Sequence, residues 1–210
     1  MNTVLYLKAS PRIGCSHSIA VADAFVESYR KTHPADQIKT IDLFEKPLPA
    51  FDLAATTAKY KIMQGQEHSE QDCRIWAEVV AVIDEFKAAD KYVMAVPMWN
   101  FSIPYRLKQY IDIIVQPGLT FTVTDGGGYE GLVKDKSVFI VYARGGDYPQ
   151  GSGAESFDLQ KKYLELILNF IGLADIRSVV VEPTLAAGPD VAKRKRAEAV
   201  EKAKQMADEF

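Results

Sequence analysis

The chain has 210 residues, of which 48% are hydrophobic and 25% charged, a length that suffices for one substantial core, so we expect a single domain over residues 1–210. The formal net charge of −3 argues against nucleic acid or a membrane surface as a partner. The sequence shows no targeting pattern at its start and no apolar run of about 20 residues, and we therefore expect a cytoplasmic protein.

Short apolar runs alternate with amphipathic segments, a pattern typical of an α/β fold with a parallel sheet. The predicted strands are Val4–Leu7, Gln37–Leu43, Lys91–Val96, Ser137–Tyr142 and Ile176–Val181. The predicted helices are Ser18–Lys31, Leu53–Gly65, Glu70–Ala89, Tyr105–Val115, Phe157–Ile171 and Val191–Phe210. A DGGG turn between two strand-like arms predicts a β-hairpin at Gly118–Leu132. The expected fold is a doubly wound five-stranded parallel sheet in the order 2-1-3-4-5, with helices on both faces.

The first informative loop follows the first strand and opens the first helix. Ser10, Ser16 and Ser18 place three hydroxyls around the helix start, where unpaired backbone N–H groups and the helix dipole favour an anion. His17 lies among them, and Arg12 can add charge. The loop matches neither GxxxxGK(S/T) nor GxGxxG, so it predicts a site for a mononucleotide phosphate. The alternative is an ordinary turn whose serines only cap the helix.

Two further interpretations of this region concern cysteine and histidine. Cys15 in an anion-binding loop suggests a phosphatase nucleophile, but Val21 stands six residues later, where such a site needs arginine. The histidines His17, His33 and His68 are scattered along the chain. We therefore expect neither a nucleophilic cysteine nor a metal site.

The second informative loop is PMWNF, which begins at Pro97 after the third strand. Met98, Trp99 and Phe101 supply flat apolar surface, and Asn100 supplies a paired donor and acceptor. Loops at the carboxyl ends of parallel strands bind ligands in doubly wound sheets. This mixture of side chains suits a planar heterocycle with polar edges.

The third loop follows the fourth strand and contains Ala143, Arg144, Gly145 and Gly146. Its glycines let backbone N–H groups approach a ligand without an intervening Cβ, although a flexible turn is the alternative. In the expected strand order the first, third and fourth strands are adjacent, so the three loops converge on one crevice. A phosphate site, an aromatic surface and a polar edge together predict flavin mononucleotide (FMN), with one ring face open to a second planar molecule.

Five segments, in order along nearly the whole chain, carry a resemblance to a known family: SPRIGCSHS, LPAFD, PMWNFSIPYRLKQYID, GLTFTVTDGGGYEGL and ARGG. On these segments the sequence resembles the FMN-dependent NADH-azoreductases, flavodoxin-like homodimers that also reduce quinones. The PMWNF-xIP-xxLK block is the most specific of them. The resemblance implies a flavodoxin-like fold, a homodimer, one FMN per subunit, and NADH or NADPH as the electron donor.

The resemblance also implies how individual residues contact FMN. Ser10 and Ser16–Ser18 would hold the ribityl phosphate. Met98–Phe101 would line the isoalloxazine, with their backbone amides near its reactive N5. Ala143–Gly146 would meet the pyrimidine edge of the ring.

A pocket for the electron acceptor is implied at the dimer interface. Phe121, Tyr129 and Phe170 are candidates for its aromatic wall, and packing is an equal interpretation of Phe170.

Two positions depart from the family. Val123 stands where some members have an aromatic residue, and His17 where many have glutamine. Both departures affect the choice of acceptor rather than cofactor binding.

The function implied is two-electron reduction of quinones and cleavage of azo compounds to amines by a ping-pong mechanism. No side chain is expected to be indispensable for acid–base catalysis, because the cofactor carries the chemistry. Two other classes remain: a one-electron flavodoxin-type carrier, and a non-catalytic module that binds a phosphorylated ligand. The helix-rich insertion and the hairpin favour an enzyme, because carriers are shorter and strongly acidic.

Overall fold

A computed structural model describes residues 1–210 of the protein. It contains seven β-strands. They are β1 (Thr3–Lys8), β2 (Gln37–Asp42), β3 (Lys91–Pro97), β4 (Phe121–Val123), β5 (Tyr129–Gly131), β6 (Ser137–Ala143) and β7 (Asp175–Val181). Five parallel strands make one sheet in the order β2-β1-β3-β6-β7, and β4 and β5 pair as a separate antiparallel hairpin. The predicted order 2-1-3-4-5 is confirmed, because β6 and β7 are the fourth and fifth strands of the sheet.

Six α-helices connect or follow these strands. They are α1 (His17–Thr32), α2 (Leu53–Met63), α3 (Glu70–Lys87), α4 (Tyr105–Ile114), α5 (Leu159–Phe170) and α6 (Pro189–Asp208). Every predicted helix is present, with bounds that differ from the expected ones by no more than two residues. None of the helices combines the length and the apolar composition needed to cross a bilayer.

The start of α5 differs from the prediction, which placed Phe157 in the helix. Asp158 caps α5 by accepting a hydrogen bond of 3.0 Å from the backbone N–H of Lys161. Phe157 therefore falls in the preceding 3-10 turn, Ala154–Phe157. A capping aspartate sets the first residue of a helix more strongly than apolar periodicity does.

The two faces of the sheet are covered by different helices. Along β3, Tyr92, Met94 and Val96 belong to the core formed with α3, α4 and α5. Val93 and Ala95 belong to the core formed with α1 and α6. Successive side chains of a strand point to opposite faces. Burial on both faces explains why the sequence of β3 is continuously apolar rather than alternating.

The carboxyl ends of neighbouring strands lie side by side. Lys8 at the end of β1 pairs with Ala95, and Pro97 at the end of β3 pairs with Ala143. Ala143 at the end of β6 pairs in turn with Val181. The loops that follow β1, β3, β6 and β7 therefore leave the sheet from adjacent points, at the edge where doubly wound sheets bind ligands.

The β4–β5 hairpin packs on the C-terminal end of α5. A Cβ on Gly131 would lie 2.2 Å from the backbone nitrogen of Gly172, so only glycine permits this approach. Val133 donates a backbone hydrogen bond of 2.8 Å to Ile171. Because α5 ends here and the chain then enters β7 at Asp175, the hairpin lies at the amino edge of the sheet, opposite the converging loops.

Candidate functional site

A cavity of about 220 Å³ lies at the carboxyl edge of the sheet. Its walls come from the loops after β1, β3, β6 and β7, through Ser10, Arg12, Ser16, His17, Pro97, Met98, Trp99, Ala143, Gly145, Thr184 and Leu185. The structure thus brings the three predicted loops to one place. It adds a fourth loop, after β7, that was not predicted from the sequence.

The loop after β1 presents backbone donors at the start of α1. Ser16 caps the helix, since its Oγ accepts a hydrogen bond of 3.4 Å from the N–H of Ile19. The N–H groups of His17 and Ser18 have no hydrogen-bond partner in the protein, as is usual in the first turn of a helix. With the positive end of the α1 dipole, these donors form a site suited to an anion.

The three serines of this loop occupy different positions. Ser10 and Ser16 line the cavity. Ser18 is fully buried, and its hydroxyl lies 3.1 Å from that of Ser16. Ser18 is therefore placed to orient the hydroxyl of Ser16, which itself faces the cavity.

His17 carries an unsatisfied polar atom at the cavity. Its Nδ1 is buried and has no hydrogen-bond partner. Burial, followed by the positive charges of Arg196 and Arg12, lowers the pKa of His17. The ring is therefore held neutral at pH 7 and keeps one N–H group available as a donor.

The loop after β3 forms a tight turn at the cavity. Trp99 and Ser102 exchange two backbone hydrogen bonds of 2.9 Å. Between them Asn100 and Phe101 have φ angles of 47° and 67°, the combination found in type I′ turns. Asparagine adopts this conformation readily, whereas phenylalanine is strained in it. The N–H groups of Asn100 and Phe101 have no partner in the protein and are free to donate to a ligand.

The aromatic side chains of this turn lie in two clusters that were not predicted. Trp99 packs with Phe44 and Tyr105, at centroid distances of 5.7 and 6.1 Å. Phe101 stacks on Phe157 at 5.1 Å and meets the edge of Tyr148 at 6.3 Å. Phe44, Tyr148 and Phe157 come from distant parts of the chain, so no local motif indicates their contacts with this turn.

Part of this loop lines the wall of the cavity, and the rest lies at its rim. Pro97, Met98 and Trp99 line the cavity, as expected. Asn100 and Phe101 occupy the tip of the turn beside it, and their side chains are not part of its wall.

The loop after β6 offers backbone rather than side-chain groups. The guanidinium of Arg144 is buried and pairs with Asp158 at 2.7 Å and Glu182 at 3.1 Å. The N–H groups of Gly145 and Gly146 are unpaired within the protein. What this loop presents to a ligand is therefore a pair of amide donors.

The fourth loop, Glu182–Gly188, is attached to the third by hydrogen bonds. Thr184 donates to the carbonyl oxygen of Arg144 through both its backbone N–H and its hydroxyl, each at 2.8 Å. Leu185 donates to the carbonyl oxygen of Gly145 at 3.1 Å and lines the cavity with its side chain. The sequence could have indicated this loop, because it follows the predicted fifth strand and so lies at the ligand-binding edge of the sheet.

The three aromatic residues predicted for an acceptor pocket form one cluster. The ring centroid of Phe170 lies 4.7 Å from that of Phe121 and 5.4 Å from that of Tyr129, and Tyr129 is 67% exposed. This aromatic triad lies with the hairpin at the amino edge of the sheet. The 12 residues of α5, roughly 18 Å of helix, separate it from the carboxyl edge. Within one chain the triad does not line the cavity.

The sequence model of a protein family with a flavodoxin-like fold matches residues 2–207 of this chain. The chain belongs to this family. It is 58% identical to the FMN-dependent NADH:quinone oxidoreductase of Nitratidesulfovibrio vulgaris over 100% of both chains. It is 38% identical to FMN-dependent NADH:quinone oxidoreductase 3 of Pseudomonas fluorescens, over 100% of this chain and 98% of that protein.

Two solved structures of azoreductases are also similar to this chain. The azoreductase from Bacillus anthracis has a TM-score of 0.91 and 31% identity, with 100% of both chains covered. An FMN-dependent NADH-azoreductase from the same organism, crystallised with FMN, has a TM-score of 0.86 and 30% identity, over 99% of this chain and 100% of that one. The resemblance noted in the sequence is therefore confirmed. No group of three or more His, Cys, Asp or Glu side chains is placed to hold a metal ion.

Proposed function

We propose that the protein is an FMN-dependent NADH:quinone oxidoreductase that also reduces azo compounds. The observation that carries this proposal is the convergence of the loops after β1, β3 and β6 on one cavity, where His17 and Gly145 line the wall and have unpaired backbone N–H groups. The neighbouring residues Ser18 and Gly146 also have unpaired N–H groups, as do Asn100 and Phe101 at the rim. The activities in the names of the relatives from N. vulgaris and B. anthracis support the same conclusion.

The residues at the α1 end of the cavity fit the phosphate of FMN. A buried polar atom without a partner is costly, and the Nδ1 of His17 is such an atom. A phosphate oxygen would satisfy it together with the amides of His17 and Ser18 and the hydroxyls of Ser10 and Ser16. Arg12, which lines the same cavity, supplies a positive charge for a phosphate dianion.

The residues at the other end fit a flavin ring. When bound, FMN supplies the centre that accepts and gives up a hydride. Pro97, Met98 and Trp99 give the ring an apolar wall, and Ala143 with Gly145 gives it a wall without bulky side chains. The amide dipoles of the two loops would place partial positive charge near a bound ring and would stabilise negative charge on it.

The proposed order of the reaction assumes that both substrates use one pocket over the flavin. We propose that NADH or NADPH binds first and leaves, and that the quinone or azo compound then takes its place, which is a ping-pong mechanism. Each round delivers two electrons, so a quinone needs one round. Cleavage of an azo bond to two amines needs two rounds.

A homodimer would complete the acceptor pocket. The aromatic triad of Phe121, Tyr129 and Phe170 is exposed in part and lies at the edge of the sheet opposite the cavity of its own chain. A second copy can bring its triad over this cavity, so that each site uses loops of one chain and aromatic rings of the other. Exposed aromatic clusters of this kind are typical of protein interfaces.

A visible spectrum of the purified protein tests the proposal. We expect flavin bands that bleach under anaerobic NADH and return when menadione is added. Protein that shows no flavin bands even after FMN addition would instead be a non-catalytic module. Protein that binds FMN but oxidises almost no NADH with menadione would be a one-electron carrier.

A further inference from the structure

A buried cluster of charges lies directly behind the cavity. Arg144 is its centre, with its side chain 3% exposed. Its guanidinium donates to Asp158 at 2.7 Å, to Glu182 at 3.1 Å and to the Oε1 of Gln160 at 3.1 Å. We call these four residues the Arg144 cluster. None of its side chains lines the cavity.

The cluster joins the loop after β6 to the loop after β3. Gln160 accepts from Arg144 and donates through its Nε2 to the carbonyl oxygen of Val96, at 3.0 Å, just before Pro97. Asp158 binds Arg144 and also caps α5. The next residue of that helix, Leu159, binds the PMWNF turn through its backbone N–H.

The cluster also joins the loop after β6 to the loop after β7. Glu182, the first residue of that loop, binds the Arg144 guanidinium. The carbonyl oxygen of Arg144 accepts two hydrogen bonds from Thr184. Arg144 therefore holds the start of this loop twice, at Glu182 through its side chain and at Thr184 through its backbone.

We propose that Arg144 is a positioning residue for the cofactor site, which fixes the loops after β3, β6 and β7 relative to one another so that their free amides meet one ligand. Arginine suits this role because its planar group presents five donors in a fixed fork, whereas the single ammonium of lysine cannot reach three acceptors in that geometry. A buried ion pair is a weak source of net stability, so positioning explains the cluster better than stability does. The inference rests on the proposed function, because it concerns the binding of FMN.

Two variants test this proposal by FMN titration of the cofactor-free protein. Arg144→Lys keeps the charge but not the fork, and Gln160→Met removes the neutral link between Arg144 and Val96 while it leaves the charged residues of the cluster in place. We expect both to raise the dissociation constant for FMN about ten-fold or more, the effect of one well-placed hydrogen bond or ion contact. We also expect the visible bands of bound FMN to shift at saturation, which a simple loss of stability would not cause. If Arg144→Lys does not fold, Gln160→Met decides the question.

Arg177→Lys is the matched control, because Arg177 pairs with Asp175 at 3.2 Å at the opposite edge of the same sheet. It should leave the affinity and the spectrum of FMN as in the wild type. Folded variants of Arg144 and Gln160 that bind FMN like the wild type would overturn the proposal, and so would an equal loss in Arg177→Lys. A wild-type protein that binds no FMN would instead overturn the proposed function itself.

Discussion

The backbone N–H of Leu159 donates a hydrogen bond of 3.0 Å to the carbonyl oxygen of Phe101. This contact attaches the first turn of α5 to the tip of the PMWNF turn. It holds Phe101 at a φ angle of 67°, a conformation that side chains with a Cβ rarely adopt. The strain at Phe101 is therefore balanced by contacts from a distant part of the chain.

Two substitutions of Phe101 should differ in stability. Phe101→Leu and Phe101→Val both lose the stacking on Phe157, but valine branches at Cβ and is more strained at positive φ. We expect the valine variant to be less stable than the leucine variant by about 1 kcal/mol. Urea unfolding of both proteins measures this difference, and equal stabilities would show that the turn is not strained.

Two helix caps provide a test of the phosphate site. Ser16→Ala and Ser69→Ala each remove an N-cap hydrogen bond, so each should destabilise the protein by about 1 kcal/mol. Only Ser16 lines the cavity, and only its variant should also bind FMN about ten-fold more weakly. Fluorescence titration measures the affinity. FMN binding unchanged in a triple Ser10, Ser16 and Ser18 alanine variant would refute the phosphate assignment.

The lowered pKa of His17 makes stability depend on pH. Because burial and nearby arginines lower this pKa below its ordinary value of 6.5, the unfolded chain takes up a proton before the folded protein does. The contribution of His17 to the free energy of unfolding is therefore fully present above its ordinary pKa of 6.5 and is lost as the pH falls below it. His17→Gln should therefore lose less stability than the wild type on acidification without FMN.

Urea unfolding at a series of pH values measures this effect of His17. His68→Gln, which changes an exposed histidine between α2 and α3, is the control and should behave like the wild type. A His17→Gln protein with the pH profile of the wild type would contradict the lowered pKa of the His17 ring.

Two glycines of the hairpin region should respond differently to alanine. A Cβ at Gly131 would lie 2.2 Å from the nitrogen of Gly172, whereas one at Gly126 would have no neighbour within 4 Å. Gly131→Ala should destabilise the protein by about 3 kcal/mol, because backbone must move. Gly126→Ala should change stability by no more than about 0.5 kcal/mol. Thermal unfolding compares them, and similar melting temperatures would contradict the observed packing.

The fold could be predicted from the sequence because the patterns that indicate strands and helices are local. The run from Lys91 to Val96 predicts a buried strand, and the alternation of such runs with helices restricts the topology. The hydroxyls of Ser16 and Ser18 predicted a helix start in this segment, and the structure shows that Ser16 is the residue that caps α1. The carboxyl-edge rule then indicated where the loops meet.

The contacts behind the site were not predictable in this way. The motif ARGG gives no sign that Arg144 points into the protein, because its partners Asp158 and Glu182 are fixed by tertiary packing. The same holds for the stacking of Phe101 on Phe157. The loop that contains Thr184 and Leu185 could have been predicted as part of the site, because it follows a strand that the sequence had identified.

If the protein is the homodimer proposed above, the distance between the aromatic triad and the cavity of the same chain has a genetic consequence. A variant with alanines at Ser10, Ser16 and Ser18 and a variant with alanines at Phe121 and Tyr129 would each lack half of every site. Subunits exchanged between them would rebuild one whole site per mixed pair, and coexpression would restore activity. Such intragenic complementation cannot arise if each chain works alone.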